Sequence, residues 1–324
     1  ATSGKEVHDA IAKLQGEGME KLIFDLGVNG GGYLGAAVDV ASEFLPGGSL
    51  VVYTQGRTGK DSQLRASSNG LFRKGGLAIL VDEYTASAAE IVSGAVQDHD
   101  RGVIVGRRTF GKGLVQRPVE LPDGSMIRLT VSHYYTPSGR CIQKPYVKGE
   151  KEKYNEDLNT RFTHGELMHL DSIHLDSTKV YTTLEKHRTV YGGGGIMPDI
   201  FVPLDTTSYT PYYRALSRNN LITQAALRFT DSNRKSILRR YKSFDDYLTS
   251  YAIPTSLLDD IEKEAEKKGI KPKDEAERKE AREDMAFMLK ALVAYNVWDR
   301  NEYFRIINQK NDIVKRALEE LQKP

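Results

Sequence analysis

The feature that most constrains the fold is an alternation of short apolar runs with segments of helical periodicity between residues 5 and 142. Three runs have the length and composition of buried strands: Lys21 to Leu26 (KLIFDL), Leu77 to Val81 (LAILV) and Val103 to Val105 (VIV). Three segments carry apolar side chains at helical spacing: 6–17, 36–45 and 88–98. Repeated strand and helix units of this kind predict an α/β core.

Antiparallel strands are predicted to follow this alternation. Gly111 to Val119 and Met126 to Tyr135 flank Pro122-Asp123-Gly124, a combination typical of a turn, so this region predicts a β-hairpin. Ile196 to Pro203 (IMPDIFVP) predicts a last strand that returns to the core, with a proline near each end. The predicted core is therefore α/β with additional antiparallel strands.

We expect two regions along the chain, a core of residues 1–205 and an α-helical C-terminal region of residues 206–324. Residues 144–190 are polar and rich in histidine, and their weak periodicity predicts a long insertion in the core. Apolar side chains at roughly helical spacing over residues 284–321 predict a packing face rather than a cofactor-binding segment. This face is expected to pack on the core or to form a homodimer.

Charge and composition argue against several classes of function. The chain has 46 basic and 44 acidic side chains, a net charge of +2, and no basic stripe interleaved with aromatic residues, so nucleic-acid binding is not expected. Its apolar stretches are too short or too interrupted to span a bilayer. The single cysteine, Cys141, excludes an internal disulfide. Nothing at the N-terminus resembles a signal peptide, and a helical pattern begins almost at Ala1, so we expect upstream segments in a longer protein.

Ser87 is the first candidate for chemistry. It lies in Thr85-Ala86-Ser87-Ala88-Ala89-Glu90, at the predicted transition from a strand to a helix. A turn of small residues there exposes one hydroxyl, and the following helix supplies unpaired backbone N–H groups. This geometry suits an acyl-transfer nucleophile, although a serine at such a place more commonly caps the helix.

Lys112 is the second candidate, because it stands between two glycines in an otherwise uncharged run, Thr109 to Gln116. An ammonium group cannot accept the proton of an attacking serine, so a lysine that acts as a base has to be held neutral by burial. Phe110, Leu114 and Val115 are expected to form the apolar wall. On a strand, residues 112, 114 and 116 share a face, so Gln116 is expected to orient the amine. The alternative is a solvated lysine in a glycine-rich bend.

A glycine-rich loop, Asn29-Gly30-Gly31-Gly32, follows one predicted strand and precedes a helix. It lacks the spacing of a dinucleotide fold and the lysine of a P-loop, so no nucleotide cofactor is expected. An oxyanion hole requires two N–H donors aimed at one developing negative charge. A glycine N–H from this loop and the N–H of Ala88 would supply them.

Several motifs together resemble the C-terminal processing peptidases, also called tail-specific proteases. The resemblance lies in the Phe24-to-Gly32 run, the Ala86-to-Ile91 run, Gln97-Asp98, Val105-Gly106, the Thr109-to-Gln116 run, Leu121-to-Gly124, Tyr135-to-Arg140 and Gly195-to-Ile200, in the family's order and over about residues 5–205. It implies a ClpP/crotonase-like α/β core and a serine endopeptidase that cleaves proteins or peptides near their C-termini. By the same resemblance Ser87 matches the nucleophile, Lys112 the general base, Gln116 the residue that orients the lysine, and Gly32 and Ala88 the oxyanion-hole donors. It implies no cofactor or metal, and a periplasmic or cell-envelope location.

Three departures from the family pattern bear on the function. An arginine usually follows the Asp-Leu of the glycine loop, whereas Gly27 and Val28 stand here, which is expected to loosen the loop and reduce activity. Family members normally carry a PDZ domain before the core, and no part of this chain resembles one. The histidine-rich insertion and the helical region lie outside the common core, so no role is carried over to them.

Other interpretations compete with the peptidase. His164, His169 and His174 are spaced by five, which fits neither a helical zinc motif nor a usual zinc cluster. His99 is the one histidine that rivals Lys112 as a base, and His133 is predicted to be structural. A catalytically impaired peptide-binding or scaffolding protein of the same fold is one alternative. A crotonase-like acyl-CoA enzyme is another, and no CoA-binding region supports it.

Overall fold

The computed structural model describes residues 2–56, 62–147 and 149–323. They form two compact units, Ala1–Leu204 together with Arg316–Pro324, and Asp205–Lys315. The predicted fold class is confirmed, because an α/β unit with antiparallel strands is followed by a helical region. The C-terminal segment Arg316–Pro324 groups with the first unit, whereas we expected all of residues 206–324 to form the helical region.

A parallel sheet forms the centre of the first unit. Its strands, in spatial order, are β1 (Lys21–Asp25), β4 (Gly76–Val81), β5 (Val103–Gly106) and β10 (Ile200–Phe201). The helices α1 (Ser3–Gly16), α2 (Leu34–Ser42) and α3 (Ala88–Asp98) join this sheet in one apolar core. Helix α3 matches its predicted range, because its small and aliphatic residues are buried along its whole length.

A second sheet is antiparallel, in the spatial order β3 (Ser62–Arg65), β2 (Leu50–Gln55), β7 (Met126–Tyr135) and β6 (Leu114–Glu120). The predicted hairpin is confirmed as β6 and β7, and their pairing is interrupted by a bulge between Val115 and Gln116. Strands β2 and β3 were not predicted, because β3 is short and mostly exposed.

The insertion has more regular structure than its weak periodicity predicted. It contains helix α4 (Lys151–Thr163). A two-stranded sheet of β8 (Val180–Thr182) and β9 (Thr189–Tyr191) lies at its C-terminal end. The last strand, β10, is much shorter than the predicted 196–203. The carboxylate of Asp199 accepts from the N–H of Ile104 at 2.8 Å, and the N–H of Asp199 donates to the carbonyl oxygen of Ile104 at 2.9 Å. The paired register with β5 covers only Ile200 and Phe201.

The second unit is helical, as predicted. Its helices are α5 (Pro211–Arg218), α6 (Leu221–Arg240), α7 (Phe244–Ser250), α8 (Thr255–Lys267), α9 (Glu275–Val297) and α10 (Arg300–Ile307), and α11 (Asp312–Gln322) ends the chain. Two apolar clusters hold the unit together, one centred on α6 and α9 and the other rich in tyrosine. Within the described ranges, no helix has both the length and the apolar character that crossing a membrane requires.

Candidate active site

Ser87 lies at a sharp turn between β4 and α3, one residue before the helix begins. Its backbone has φ 58° and ψ −116°, a conformation that costs a residue with a Cβ on the order of 1–3 kcal/mol. The preceding turn is held by Asp82, whose Oδ1 accepts from the N–H groups of Tyr84 and Thr85 at 2.9 Å and 3.0 Å. The turn presents a half-buried Ser87 at the N-terminus of a buried helix.

Glu90 connects this turn to the loop that carries Lys112. Its side chain is fully buried, and one carboxylate oxygen, Oε2, accepts from the N–H of Ser87 at 2.7 Å and from the N–H of Lys112 at 2.9 Å. The other oxygen accepts from the hydroxyl of Thr109 at 2.6 Å and the N–H of Gly111 at 2.8 Å. Burial raises the pKa of Glu90 to about 7, against these hydrogen bonds, which lower it. A single carboxylate thus holds the two candidate residues next to each other.

Tyr134 reinforces the same junction from the antiparallel sheet. Its hydroxyl lies 3.0 Å from the carbonyl oxygen of Ser87 and also contacts the carbonyl oxygen of Lys112. Burial raises the pKa of Tyr134 well above its ordinary value, so the hydroxyl keeps its proton and remains a donor. The backbones of Ser87 and Lys112 are therefore joined on both their N–H and their carbonyl sides.

Lys112 is half-buried and lines a cavity of about 920 Å³, which we call the lysine cavity. Phe110 and Leu114, two residues of the predicted apolar wall, line it, and so does Gln116. Val115 does not, because side chains alternate along a strand and Val115 packs against the main core instead. Gln116 is exposed, and among the described residues its side chain makes no hydrogen bond to the amine of Lys112. Lys112 and Gln116 therefore line the same cavity without a direct hydrogen bond between their side chains.

The glycine loop packs directly against the serine turn. Gly31 has φ +89°, and a Cβ there would come within 2.8 Å of the backbone of Ala86 and Ala88 and of the Ser87 side chain, so only glycine fits. The N–H of Ala86 donates to the carbonyl oxygen of Asn29 at 2.9 Å. Within the described ranges, the N–H groups of Gly32 and Ala88 have no hydrogen-bond acceptor, and both residues line a second cavity of about 390 Å³.

The altered part of this loop is strained. Val28 stands at φ 57°, a left-handed conformation that is rare for a β-branched residue, and its side chain is 76% exposed. Its N–H donates to Oδ2 of Asp82 at 2.9 Å. The acidic group that fixes the serine turn therefore also fixes the glycine loop where it departs from the family pattern.

His99 and His133 lie in different parts of the first unit. His99 follows the last residue of α3, and the length of this helix places it roughly 18 Å along the axis from Ser87. Its Nε2 lies 2.7 Å from the carbonyl oxygen of Leu50. His133, predicted to be structural, lies opposite Leu114 and lines the lysine cavity. No group of three or more histidine, cysteine, aspartate or glutamate side chains in the described part of the chain is placed to hold a metal ion.

The insertion is attached to the loop that leads to Lys112. Arg161 of α4 donates to the carbonyl oxygens of Arg108 and Thr109 at 2.6 Å and 3.1 Å. Burial works to raise the pKa of Glu166, but its hydrogen bonds and ion pairs with Arg108 and Arg161 prevail and lower it. Lys144 donates to the carboxylate of Asp157 at 3.1 Å.

Sequence reasoning did not assign roles to Glu90, Tyr134 or Arg161. A signal for Glu90 was available, because serine followed three residues later by glutamate is the pattern of a capping box at a helix start. The roles of Tyr134 and Arg161 depend on contacts between residues far apart in the chain, so local sequence carries no signal for them.

The comparisons with known proteins agree on the first half of the chain. Residues 1–151 match the family model described as Peptidase family S41, and residues 212–299 match a family of unknown function, DUF8443. A "Carboxyl-terminal-processing protease" of Synechocystis sp. is 42% identical over 144 residues, which are 44% of this chain and 33% of that protein. A "Probable CtpA-like serine protease" of Staphylococcus aureus is 38% identical over 165 residues, which are 49% of this chain and 32% of that protein.

Among solved structures, the photosystem II D1 C-terminal processing protease is similar to this chain at 28% identity and a TM-score of 0.44. The match covers 63% of this chain and 40% of that one. Mature CPAF is similar at 15% identity and a TM-score of 0.37, over 43% of this chain and 40% of that one. The match spans about a third of the length of the two curated relatives.

Proposed function

Because residues 1–151 match the family model of Peptidase family S41, we propose that this chain is the catalytic part of a serine endopeptidase that cleaves proteins or peptides near their C-termini. Ser87 is the nucleophile, Lys112 the general base, and the N–H groups of Gly32 and Ala88 form the oxyanion hole. The observation that carries the proposal is the buried carboxylate of Glu90, which accepts from the N–H of both Ser87 and Lys112.

The reaction follows from this placement. The amine of Lys112 takes the proton from the Ser87 hydroxyl as the serine oxygen attacks the scissile carbonyl carbon. The negative charge that develops on the carbonyl oxygen is stabilised between the N–H groups of Gly32 and Ala88. Lys112 then gives the proton to the leaving amine as the C–N bond breaks. A water molecule, deprotonated by Lys112, hydrolyses the resulting ester, which releases the acyl product and returns the proton to Ser87.

Substitution of the two central residues tests the proposal. Ser87→Ala and Lys112→Ala are each expected to lower kcat for peptide cleavage by roughly 10⁴-fold, because each removes a group that bonds to the reacting atoms. His99→Ala is the control, since His99 lies at the far end of α3, and His133→Ala tests the one histidine that shares the cavity with Lys112. Lys112 would be rejected as the base if Lys112→Ala kept the turnover of wild type. It would also be rejected if His133→Ala lost about 10⁴-fold in kcat and Lys112→Ala did not.

The conformation of Val28 favours one second candidate, a peptide-binding protein with impaired catalysis. A strained residue directly after Gly27, which stands where the family usually has an arginine, is expected to weaken the oxyanion site. Wild type and Ser87→Ala would then bind peptides equally well, and wild type would show no turnover. Measurable Ser87-dependent cleavage decides for the peptidase.

We also infer a cell-envelope or periplasmic location from the family resemblance. Cell fractionation of the natural full-length protein tests it, and recovery with cytoplasmic markers would contradict it.

A further inference from the structure

The lysine cavity has an unbalanced charge. Besides Lys112, the proposed base, three lysines line it, Lys144, Lys151 and Lys179, while no aspartate or glutamate lies among the described residues of its wall. The molecule as a whole has nearly equal numbers of basic and acidic side chains. The imbalance is therefore local, and it favours an anionic ligand in this cavity.

The four lysines are not equally available to a ligand. Lys112 is the proposed base. Lys144 is buried, and its ammonium group is held by the carboxylate of Asp157 at 3.1 Å and by the ring of Phe110, whose centroid is 3.9 Å away. Lys144 therefore has its counter-charge within the protein already.

Lys151 and Lys179 remain open to an external anion. Lys151, the first residue of α4, has no ion pair or hydrogen bond through its amine within the part of the chain that the structure describes. Lys179 pairs with Asp176 at 3.0 Å, but both side chains are nearly half exposed and only three residues apart. Such surface pairs are weak, so a ligand carboxylate can replace Asp176.

The rest of the wall is largely apolar or aromatic. Phe110 and Leu114 line it near Lys112, and Tyr146, Tyr154 and Tyr181 contribute three further rings. A cavity of about 920 Å³ with such a lining and a few cations suits an apolar side chain that lies close to a carboxylate.

The position of Lys112 indicates which part of a substrate this cavity receives. In the proposed reaction Lys112 passes the serine proton to the leaving amine, which belongs to the C-terminal product. The cavity that Lys112 lines therefore adjoins the C-terminal side of the scissile bond. The second cavity, lined by Gly32 and Ala88, adjoins the acyl side.

We infer that the lysine cavity binds a carboxylate on the C-terminal side of the scissile bond, beside an apolar side chain, and that Lys151 and Lys179 determine this specificity. The inference rests on the proposed function and deepens it. The carboxylate has two chemical sources, the free C-terminus of a substrate cut close to its end, or an aspartate or glutamate side chain.

A matched set of peptides distinguishes these sources. Four versions of one peptide sequence are made. The first has a free C-terminal carboxylate and the second a C-terminal amide. The third and fourth are also amides, with aspartate or asparagine after the scissile bond. Cleavage is measured as kcat and KM for wild type, the double variant Lys151→Gln/Lys179→Gln, the double variant Lys151→Arg/Lys179→Arg, and the control Lys13→Gln. Lys13 is an exposed lysine outside the cavity with a nearby Glu17, so it matches Lys179 in setting.

We expect the peptides that carry a carboxylate to have a KM about fivefold lower than their neutral counterparts in wild type, at similar kcat. The glutamine variant should abolish this difference, the arginine variant should retain it, and added salt should shrink it. If amidation alone raises KM, the free C-terminus is the ligand. If only the change of aspartate to asparagine does so, the ligand is the side chain.

Equal KM values for all four peptides, or an equal rise for all of them in the glutamine variant, would overturn the inference while leaving the peptidase intact. If wild type cleaves none of the peptides, the proposed function fails first. The same peptides, fluorescently labelled, are then titrated into the Ser87→Ala protein. Tighter binding of the carboxylate peptides that depends on Lys151 and Lys179 supports the inference, and equal binding overturns it.

Discussion

At the scale of single residues, the site depends on a carboxylate that has no part in bond making. Glu90 is an acceptor for four donors, and two of them are the backbone N–H groups of Ser87 and Lys112. All four donors point at the same side chain, so only the ionised carboxylate satisfies them together. We therefore regard Glu90 as a positioning residue for the proposed dyad.

Glu90→Gln tests this role. The amide offers one acceptor oxygen and places an NH₂ group against N–H donors, so about two buried donors lose their partner. We expect a loss of roughly 2–4 kcal/mol in the free energy of unfolding, and a lower kcat with little change in KM. Urea denaturation and steady-state kinetics measure the two effects. Glu83→Gln is the control, a buried carboxylate that pairs with Arg107. A wild-type kcat in Glu90→Gln would exclude the positioning role.

The pKa of Glu90 also sets the direction of a pH effect. Its folded value of about 7 exceeds the ordinary value of 4.5, so between these pH values the folded chain holds a proton that the unfolded chain releases. The free energy of unfolding therefore falls as the pH rises from about 4.5 to 7, by an amount on the order of 3 kcal/mol, and this contribution then levels off. Wild type should show this fall and Glu90→Gln should lack it; parallel pH profiles of the two would contradict the assignment.

Val28 presents a second test at this scale. Its left-handed backbone conformation is unfavourable for a β-branched residue, and asparagine adopts the same conformation at a lower cost in free energy. Val28→Asn should raise the free energy of unfolding by about 1 kcal/mol. Val119→Asn is the control, an exposed valine in strand β6, where asparagine should be neutral or destabilising. Thermal denaturation measures both, and a destabilised Val28→Asn would show that the strain is relieved in another way.

At the scale of secondary-structure elements, α4 supports the loop before Lys112. Arg161 is 4% exposed and donates to two carbonyl oxygens of that loop, while Glu166 joins it to Arg108. The guanidinium group suits this task, since its fixed fork of donors reaches several acceptors at once. The insertion thus has a physical connection to the proposed base.

Arg161→Ala should lower kcat by about tenfold, because the loop that positions Lys112 loses its support. It should also lower the free energy of unfolding by about 3 kcal/mol, because Glu166 loses one of its two cationic partners. Arg161→Lys keeps the charge without the fork, so it should recover stability more than kcat. Lys153→Ala, an exposed lysine in the same helix, is the control. Equal kcat in wild type and Arg161→Ala at a temperature where both are folded would separate α4 from the reaction.

At the scale of the whole molecule, the first unit is completed by the end of the chain. Arg316–Pro324 groups with Ala1–Leu204, and Lys21 donates to the carbonyl oxygen of Leu321 at 2.5 Å, across 300 residues. The second unit, Asp205–Lys315, has its own apolar clusters. The predicted homodimer through the helical region stays a prediction.

Removal of residues 316–324 should therefore lower the Tm of the first unit and leave that of the second unchanged. We expect a shift of roughly 3 °C for each 1 kcal/mol lost. Differential scanning calorimetry of the full and shortened chains resolves the two transitions, and Leu321→Ala is the milder companion variant. A shift confined to the other transition would show that the segment stabilises the helical unit instead.

Elements with local signals could be predicted from the sequence alone. The apolar run before Ser87 and the small residues after it define β4 and α3, and the turn residues at 122–124 define the hairpin, because period and turn chemistry are properties of neighbouring residues. The motifs around Ser87 and Lys112 were sufficient to propose the dyad. The three-dimensional structure was needed to show that Glu90 and Tyr134 join the two residues, that Val115 faces the core, and that His133 lines the lysine cavity. These facts depend on strand register and on contacts between distant segments, and the free energy that selects among such arrangements comes from packing of the whole unit.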